Sequence, residues 1–532
     1  MSTANTPSVG QNSESTLRLG QVIGSFKLPV ALTLGIVLLS FVPRIAGTQL
    51  LQWSFWGAAA ALALWQGFML LHLARRPALK DFSSAVYSQH YVQAMVQFSV
   101  YLYWGYYWRP VYDHLWLLAG QVLFAYTFGM LLAWSRRRSY RLGFGPIPII
   151  FSTNLFLWFH DEWFYMQFVM IAVGFLGKEF VRWQRDGRSV HIFNPSAFSL
   201  GFFSMILIFT GTTDLTWAPE ISSTLTLAPG IYTYLFAVGL VVTYFFTITL
   251  VSGAAAMTLF GFSALYAAVA GVPYFLDSEI PAAVFLGLHL LITDPSTSPR
   301  TPLGKTLFGI LYGIGVFALY TILGYFGEPT LYDKLLCVPL LNLSVIAIDR
   351  LVRRFNSESL LNLWNPAWLG GRGNLAHMAV WIGVFSLMSL LGRTDAQHPG
   401  DSVPFWEKSC AADLPNACTR LISVESTDSA AWACNELGAH YREGRIVKSD
   451  PDLAFAYFAR ACELKLQAGC ANLLDEQLAL RANPLELDLR LMLRQGGKNL
   501  MDASVPELYD RACRHDWAFA CARSGGASAG GD

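Results

Sequence analysis

The sequence predicts an all-α polytopic transmembrane helix bundle followed by a soluble α-α repeat domain. Three observations predict it. The chain is 54% hydrophobic and 14% charged over 532 residues, whereas soluble domains carry about 25% charged residues. Apolar runs follow one another almost without pause from residue 28 to 392, as serial membrane spans do. Beyond 393 the charge pattern becomes ordinary, and seven of the eight cysteines lie there. A net charge of +1 gives no bulk attraction to nucleic acid.

Residues 1–26 are rich in Ser, Thr, Asn and Gln and read as a disordered tail. A cleavable signal would be shorter and run straight into its apolar core. A span needs about 20 apolar residues, and the sequence offers about thirteen such segments. They lie at 28–48, 53–74, 88–108, 114–134, 144–159, 162–181, 196–211, 231–250, 253–275, 279–293, 304–326, 333–349 and 375–392. Those at 196–211 and 279–293 are short, which predicts re-entrant or broken helices shielded by protein or water.

Basic loops stay cytoplasmic. The basic stretches are "ARRPALK" (74–80), "SRRRSYR" (135–141), "KEFVRWQRDGR" (178–188), "SPRTPLGK" (298–305) and "DRLVRRF" (349–355). With about thirteen crossings and a cytoplasmic N-terminus, all five fall inside. The expected location is a bacterial-type inner membrane, with everything after 393 in the periplasm. The aromatic run around Tyr101, Tyr103, Trp104, Tyr106, Tyr107 and Trp108 is expected to form an interfacial belt.

Two polar stretches interrupt the apolar chain: "DGRSVHIFNPSAFSLG" (186–201) and "LITDPSTSPRTPLGKTLFG" (291–309). Proline removes a backbone donor and disfavours helix before it, so both stretches break or start helices near the membrane surface. Exposed helix N-termini bind anions, and Arg300 and Lys305 would add charge. Helix starts with ordinary positive-inside residues explain the same pattern. His289 lies inside an apolar segment, and an intramembrane ionisable group is a functional candidate, here as a proton relay or a ligand contact. A satisfied interior histidine is the plainer reading. His90 and His114 sit in no haem motif.

"FNPSAFSLG" and "LITDPSTSPRTPLGKTLFGILYGIG" resemble the two signature stretches of the NqrB/RnfD membrane-subunit family, and "LLNLSVIAIDRLVRR" (340–354) is similar to a later segment of it. The resemblance covers about 175–355 and leaves 27–174 as an N-terminal transmembrane extension. The basic loop leading into "HIFNPSAFSLG", with extra N-terminal spans, further resembles stand-alone UnbU-type members. The resemblance implies a helical bundle with an internal repeat, a membrane electron-transport role and redox partner proteins. It implies cofactor contact at Asn194, Pro195, Asp294, Ser296, Thr297, Arg300 and Lys305. The family attaches flavin to a threonine in an SGAT-like motif. None occurs here: 219–232 holds Thr224 and Thr226 without the motif, and Ser252-Gly253-Ala254 is followed by Ala255. The implied cofactors are therefore non-covalent FMN, riboflavin or a quinone, with covalent FMN disfavoured. A transporter or channel on the same broken-helix plan is the alternative.

The late cysteines recur at one spacing, Cys410/Cys418, Cys462/Cys470 and Cys513/Cys521, inside repeated contexts such as "YFARACELKLQAGCANL". With "LGAHYREG" (437–444), the pattern resembles cysteine-rich Sel1-like repeats, TPR-related helical hairpins, over about 400–525. The resemblance implies that each pair is a disulfide and that the domain binds a periplasmic protein. Buried thiols remain the other reading, and no CxxC or clustered His suggests zinc. Disulfides suit an oxidising compartment. Cys434 lacks a partner at this spacing, and Cys337, in an apolar segment, reads as a packing residue.

Overall fold

The computed structural model describes residues 24–75, 80–137, 139–275, 278–326, 328–354 and 372–391, then 449–463 and scattered single positions. It is predominantly helical, and each apolar segment contains a helix. These are α1 (Lys27–Leu39), α2 (Gln49–Arg75), α3 (Ser88–Tyr107), α4 (Pro110–Arg136), α5 (Pro146–Asn154), α6 (Tyr165–Phe180) and α7 (Pro195–Thr210). There follow α8 (Ile231–Phe246), α9 (Thr249–Ala270), α10 (Ala282–Leu290), α11 (Pro302–Tyr325), α12 (Asp333–Arg354) and α13 (Gly373–Leu390). Proline opens α4, α5, α7 and α11, where its missing N–H costs nothing.

Among the described residues, six helices are long and apolar enough to cross a membrane: α2, α4, α9, α11, α12 with the turn before it, and α13. A pair bent by 101°, Ala218–Leu227 with α8, would make a seventh. The remaining segments form shorter helices or, in α3, a more polar one. Helices α5 and α10 have nine residues each, about half a span. Every residue of α10 is buried.

Contacts between loops sort into two ends. At the first, β1 (Asp81–Ser84) pairs with β2 (Ser139–Leu142), Lys80 donates to the Trp134 carbonyl, and Lys305 Nζ donates to the Thr247 carbonyl at 2.8 Å. At the second, Arg44 grips Asp161 with two bonds of 2.7 and 2.8 Å, Phe159 bridges to Thr216, and Tyr103 donates to the Pro229 carbonyl. Helix α3 starts at the first end, where Tyr87 meets Arg141, and α8 starts at the second, beside Pro229. The runs α3–α7 and α8–α12 thus begin at opposite ends. Each contains a half-length helix with an extended tail.

Within the second run, helices pack tightly where side chains are small. Gly309 and Gly313 of α11 lie against Val251, Ala254 and Thr258 of α9, and such spacing lets membrane helices approach closely. The aromatic run of α3 does not form a single belt. Tyr101, Trp104 and Trp108 recur at helical spacing and are buried, while Tyr106 is 62% exposed. Trp108 stacks on Trp158 at 5.9 Å. The helical period, rather than membrane depth, decides which rings face out.

Beyond the membrane helices, α14 (Pro451–Glu463) is amphipathic, and its Cys462 is disulfide-bonded. Cys410, Cys418, Cys434, Cys470, Cys513 and Cys521 lie outside the described residues, as do the polar tail 1–23 and most of the expected repeat domain. Cys337 is a buried free thiol on α12.

Candidate functional site: a polar knot joining the proline stretches

A hairpin builds the first part of the site. Strands β3 (Arg182–Arg185) and β4 (Arg188–His191) pair antiparallel around Asp186-Gly187, both at positive φ. Asp-Gly favours such a turn because its twist matches the strands. Strand alternation turns Arg185 into the bundle, where it is 5% exposed. Its Nη2 donates to Asp349 Oδ2 of α12 at 2.7 Å and to the Ser298 carbonyl at 3.0 Å. Asp349 Oδ1 also accepts from the Arg300 backbone N–H at 3.3 Å.

Asn194 builds the second part. Its Oδ1 accepts from the Ser196 and Ala197 N–H groups at 3.1 and 3.4 Å, capping α7. Its Nδ2 donates to the Leu291 carbonyl at 2.9 Å, at the frayed end of α10. Its own N–H donates to Asn342 Oδ1 at 3.1 Å, and Asn342 Nδ2 donates to the Thr297 carbonyl at 3.2 Å. Four elements that meet only in the fold, the hairpin, α7, the α10 tail and α12, are thereby tied by buried polar groups.

Asp294 shapes the tail. Its Oδ1 accepts from the Ser296 N–H at 2.9 Å, and its carbonyl accepts from the Ser298 hydroxyl at 2.8 Å. Its Oδ2 is 3.4 Å from His191 Nε2. Burial alone would raise its pKa, but the His191 hydrogen bond and charge, the Ser296 N–H and the Lys178 charge together bring it below the ordinary aspartate value. Thr297 is buried, and its hydroxyl donates to the Asp294 carbonyl at 3.4 Å. Ser296 is exposed on the turn, and Pro195 is buried at the start of α7. Arg300 and Arg353 both pair with Asp186 at the hairpin tip.

The structure therefore brings Asn194, Asp294 and Thr297 into one knot and leaves Arg300 and Lys305 on its rim. Sequence reasoning missed Arg185, His191, Asn342 and Asp349. Asn342 and Asp349 lie in the stretch that resembled the family's later segment. Arg185 was legible only as one of several loop arginines. The side chains of Asn194 and Asp294 are already engaged within the chain. Lys305 uses one of its three N–H donors, so the rim, rather than the knot, retains donors for an anionic cofactor.

The threonine and serine singled out for flavin attachment are engaged within the chain. Thr224 is buried with its hydroxyl on the Glu220 carbonyl at 2.6 Å, and Ser252 donates to the Leu288 carbonyl at 2.7 Å. His289 is fully buried, with Nδ1 2.9 Å from the Phe285 carbonyl. A carbonyl accepts that hydrogen bond but passes no proton onward, so the geometry offers a relay no second step through Nδ1.

The first run has its own buried polar group. Asn154, ending α5, exchanges hydrogen bonds with Gln121 at 2.7 and 3.1 Å. His114 and Gln167 reach Asn154 Oδ1 at 2.8 and 3.1 Å. Both half-length helices thus end in polar groups shielded by protein. Comparison of the chain with protein-family models, with curated proteins and with solved structures finds no match.

Proposed function

We propose that the chain is an inner-membrane electron-transport protein of NqrB/RnfD type, holding a non-covalent flavin or a quinone between helices beside the polar knot. The observation that carries this reading is convergence. Three stretches that resembled the family separately, around Asn194, Asp294 and Asn342–Asp349, share one buried hydrogen-bond network. Arg300 and Lys305 would meet a phosphate or an anionic ring. The bound group supplies the redox chemistry; this chain positions it and excludes water. The periplasmic repeat domain would dock a partner protein.

The test is cofactor analysis of the detergent-solubilised protein by mass spectrometry and absorbance between about 350 and 500 nm, where flavins absorb. Extractable flavin or quinone at a stoichiometric level is expected; a colourless preparation with neither would remove the reading.

A second reading has its own observation. Many transporters build a midplane site from inverted repeats with broken helices, and the two runs with half-length helices suit that plan. Uptake of a small solute by reconstituted vesicles, abolished in Asp294→Ala, would favour it over electron transport.

The count of about thirteen crossings belongs to the same proposal. The sorting of loop contacts into two ends supports it, because every alternation in the chain keeps the basic stretches together.

A further inference from the structure

Among the buried polar atoms with no hydrogen-bond partner are His289 Nε2 and Trp381 Nε1. Both residues are at most 1% exposed. Their rings lie 6.1 Å apart with planes 27° from parallel. An unpaired buried donor or acceptor costs on the order of 1–3 kcal/mol, and native structures rarely tolerate it without an occupant.

The two atoms differ in kind. Phe285's carbonyl can only accept, so His289 Nδ1 carries the proton and Nε2 presents a lone pair. Trp381 Nε1–H can only donate. The surroundings are aromatic. Phe236 lies edge-on to both rings and stacks on Phe385 at 3.9 Å, and Phe285 is 4.6 Å from His289. Gly239 leaves α8 bare against the imidazole, where a Cβ would overlap the ring.

Helix α13, which carries Trp381 and Phe385, is the least covered of the six long apolar helices, at 22% buried. It is fixed at one end by Asn374, which donates to the Thr243 carbonyl at 3.2 Å and accepts from Thr249 Oγ1 at 3.0 Å. Helix α13 is thus peripheral, and only its Trp381–Phe385 face separates the pair from the lipid phase.

We propose that His289 and Trp381 form a binding site for a neutral, hydroxyl-bearing molecule taken from the lipid phase. One hydroxyl meets both needs. Its oxygen accepts from Trp381 Nε1–H, its hydrogen is donated to His289 Nε2, and the phenylalanines pack its apolar body. A charged head is excluded because the walls are aromatic and hold no counter-charge among the residues named. The site is independent of the electron-transport reading and survives its failure.

The probe pair is 4-octylphenol and its methyl ether, which keeps the oxygen but loses the donor. Binding to the full-length detergent-solubilised protein is measured by displacement and by the shift in thermal midpoint. The phenol should bind saturably, about five- to tenfold more tightly than the ether, the worth of about one hydrogen bond. His289→Leu should erase that preference, and Trp381→Phe, on the peripheral helix, should weaken phenol and ether alike, since both keep the accepting oxygen. If His289→Leu does not fold, Trp381→Phe decides alone. Equal binding of phenol and ether, absence of saturable binding (water alone filling the site), or affinities unchanged in Trp381→Phe would each overturn the proposal.

Discussion

Arg185 and Asp349 carry the largest single-residue prediction. Their side chains are 4% and 6% exposed, so removing either leaves the other charged and buried. Breaking such a pair costs about 3–5 kcal/mol, whereas replacing both with apolar residues is often neutral or better. Arg185→Met and Asp349→Leu should each lower the thermal midpoint in detergent sharply, and the double variant should recover much of the loss. Additive losses would mean that the ion pair is not the coupling element. Asp294 gives a pH prediction at the same scale. Its folded pKa lies below the ordinary value, so its contribution is complete above about pH 4 and fades as pH falls through the folded value. The midpoints of wild type and Asp294→Asn should differ above about pH 4 and converge below it; a gap constant across that range would remove the carboxylate from the account. Much of this was legible. The two proline stretches announced helix breaks or starts. Arg185 was not, because a loop arginine obeying the positive-inside rule and one folded inward look alike until the hairpin's alternation is known.

At the scale of elements, α9 and α11 depend on absent side chains. A Cβ on Gly309 would meet the Val251 carbonyl and lie 3.0 Å from the Ala255 nitrogen. Both are backbone atoms that cannot rotate away. Gly309→Ala should therefore destabilise by about 1–3 kcal/mol, the usual cost of overpacking. Gly261, on the same helix as Val251, has nothing within 4 Å of its added Cβ. Gly261→Ala should be neutral or slightly stabilising, since alanine loses less entropy in a helix. Thermal midpoints of the two variants should move in opposite directions, and parallel shifts would mean that helix propensity, not contact, sets the effect. Element type was readable from apolar runs alone. Element length was not: α5 and α10 end early because Asn154 and the Leu291–Asp294 tail find polar partners from distant segments, and local sequence cannot show those.

At the scale of the whole molecule, the ends of the chain fix the parity of the crossings. The Phe26 ring is 5.3 Å from Trp134, at the first end of the bundle. Past α13 the chain returns to the second end. His398 Nε2 lies 3.9 Å from Glu279 Oε1 with both side chains buried, and Leu414 comes within 3.7 Å of a Cβ placed on Gly271. A chain that enters at one end and leaves at the other crosses an odd number of times, so an inward N-terminus puts residues after 393 on the opposite face. Basic residues crowd the first end, through Arg182, Arg185, Arg188, Arg300, Lys305, Arg353 and Arg354, which supports the proposed cytoplasmic placement of that end. Under the proposed orientation the disulfide at Cys462 would lie in an oxidising compartment, where disulfides persist. Alkaline phosphatase fused to the C-terminus of the full chain should be active in cells, and a fluorescent protein fused to the N-terminus should glow. A C-terminal fluorescent fusion that glows would demand an even number of crossings, and the contacts of Glu279 and Gly271 with the later chain would then have to be broken in the membrane.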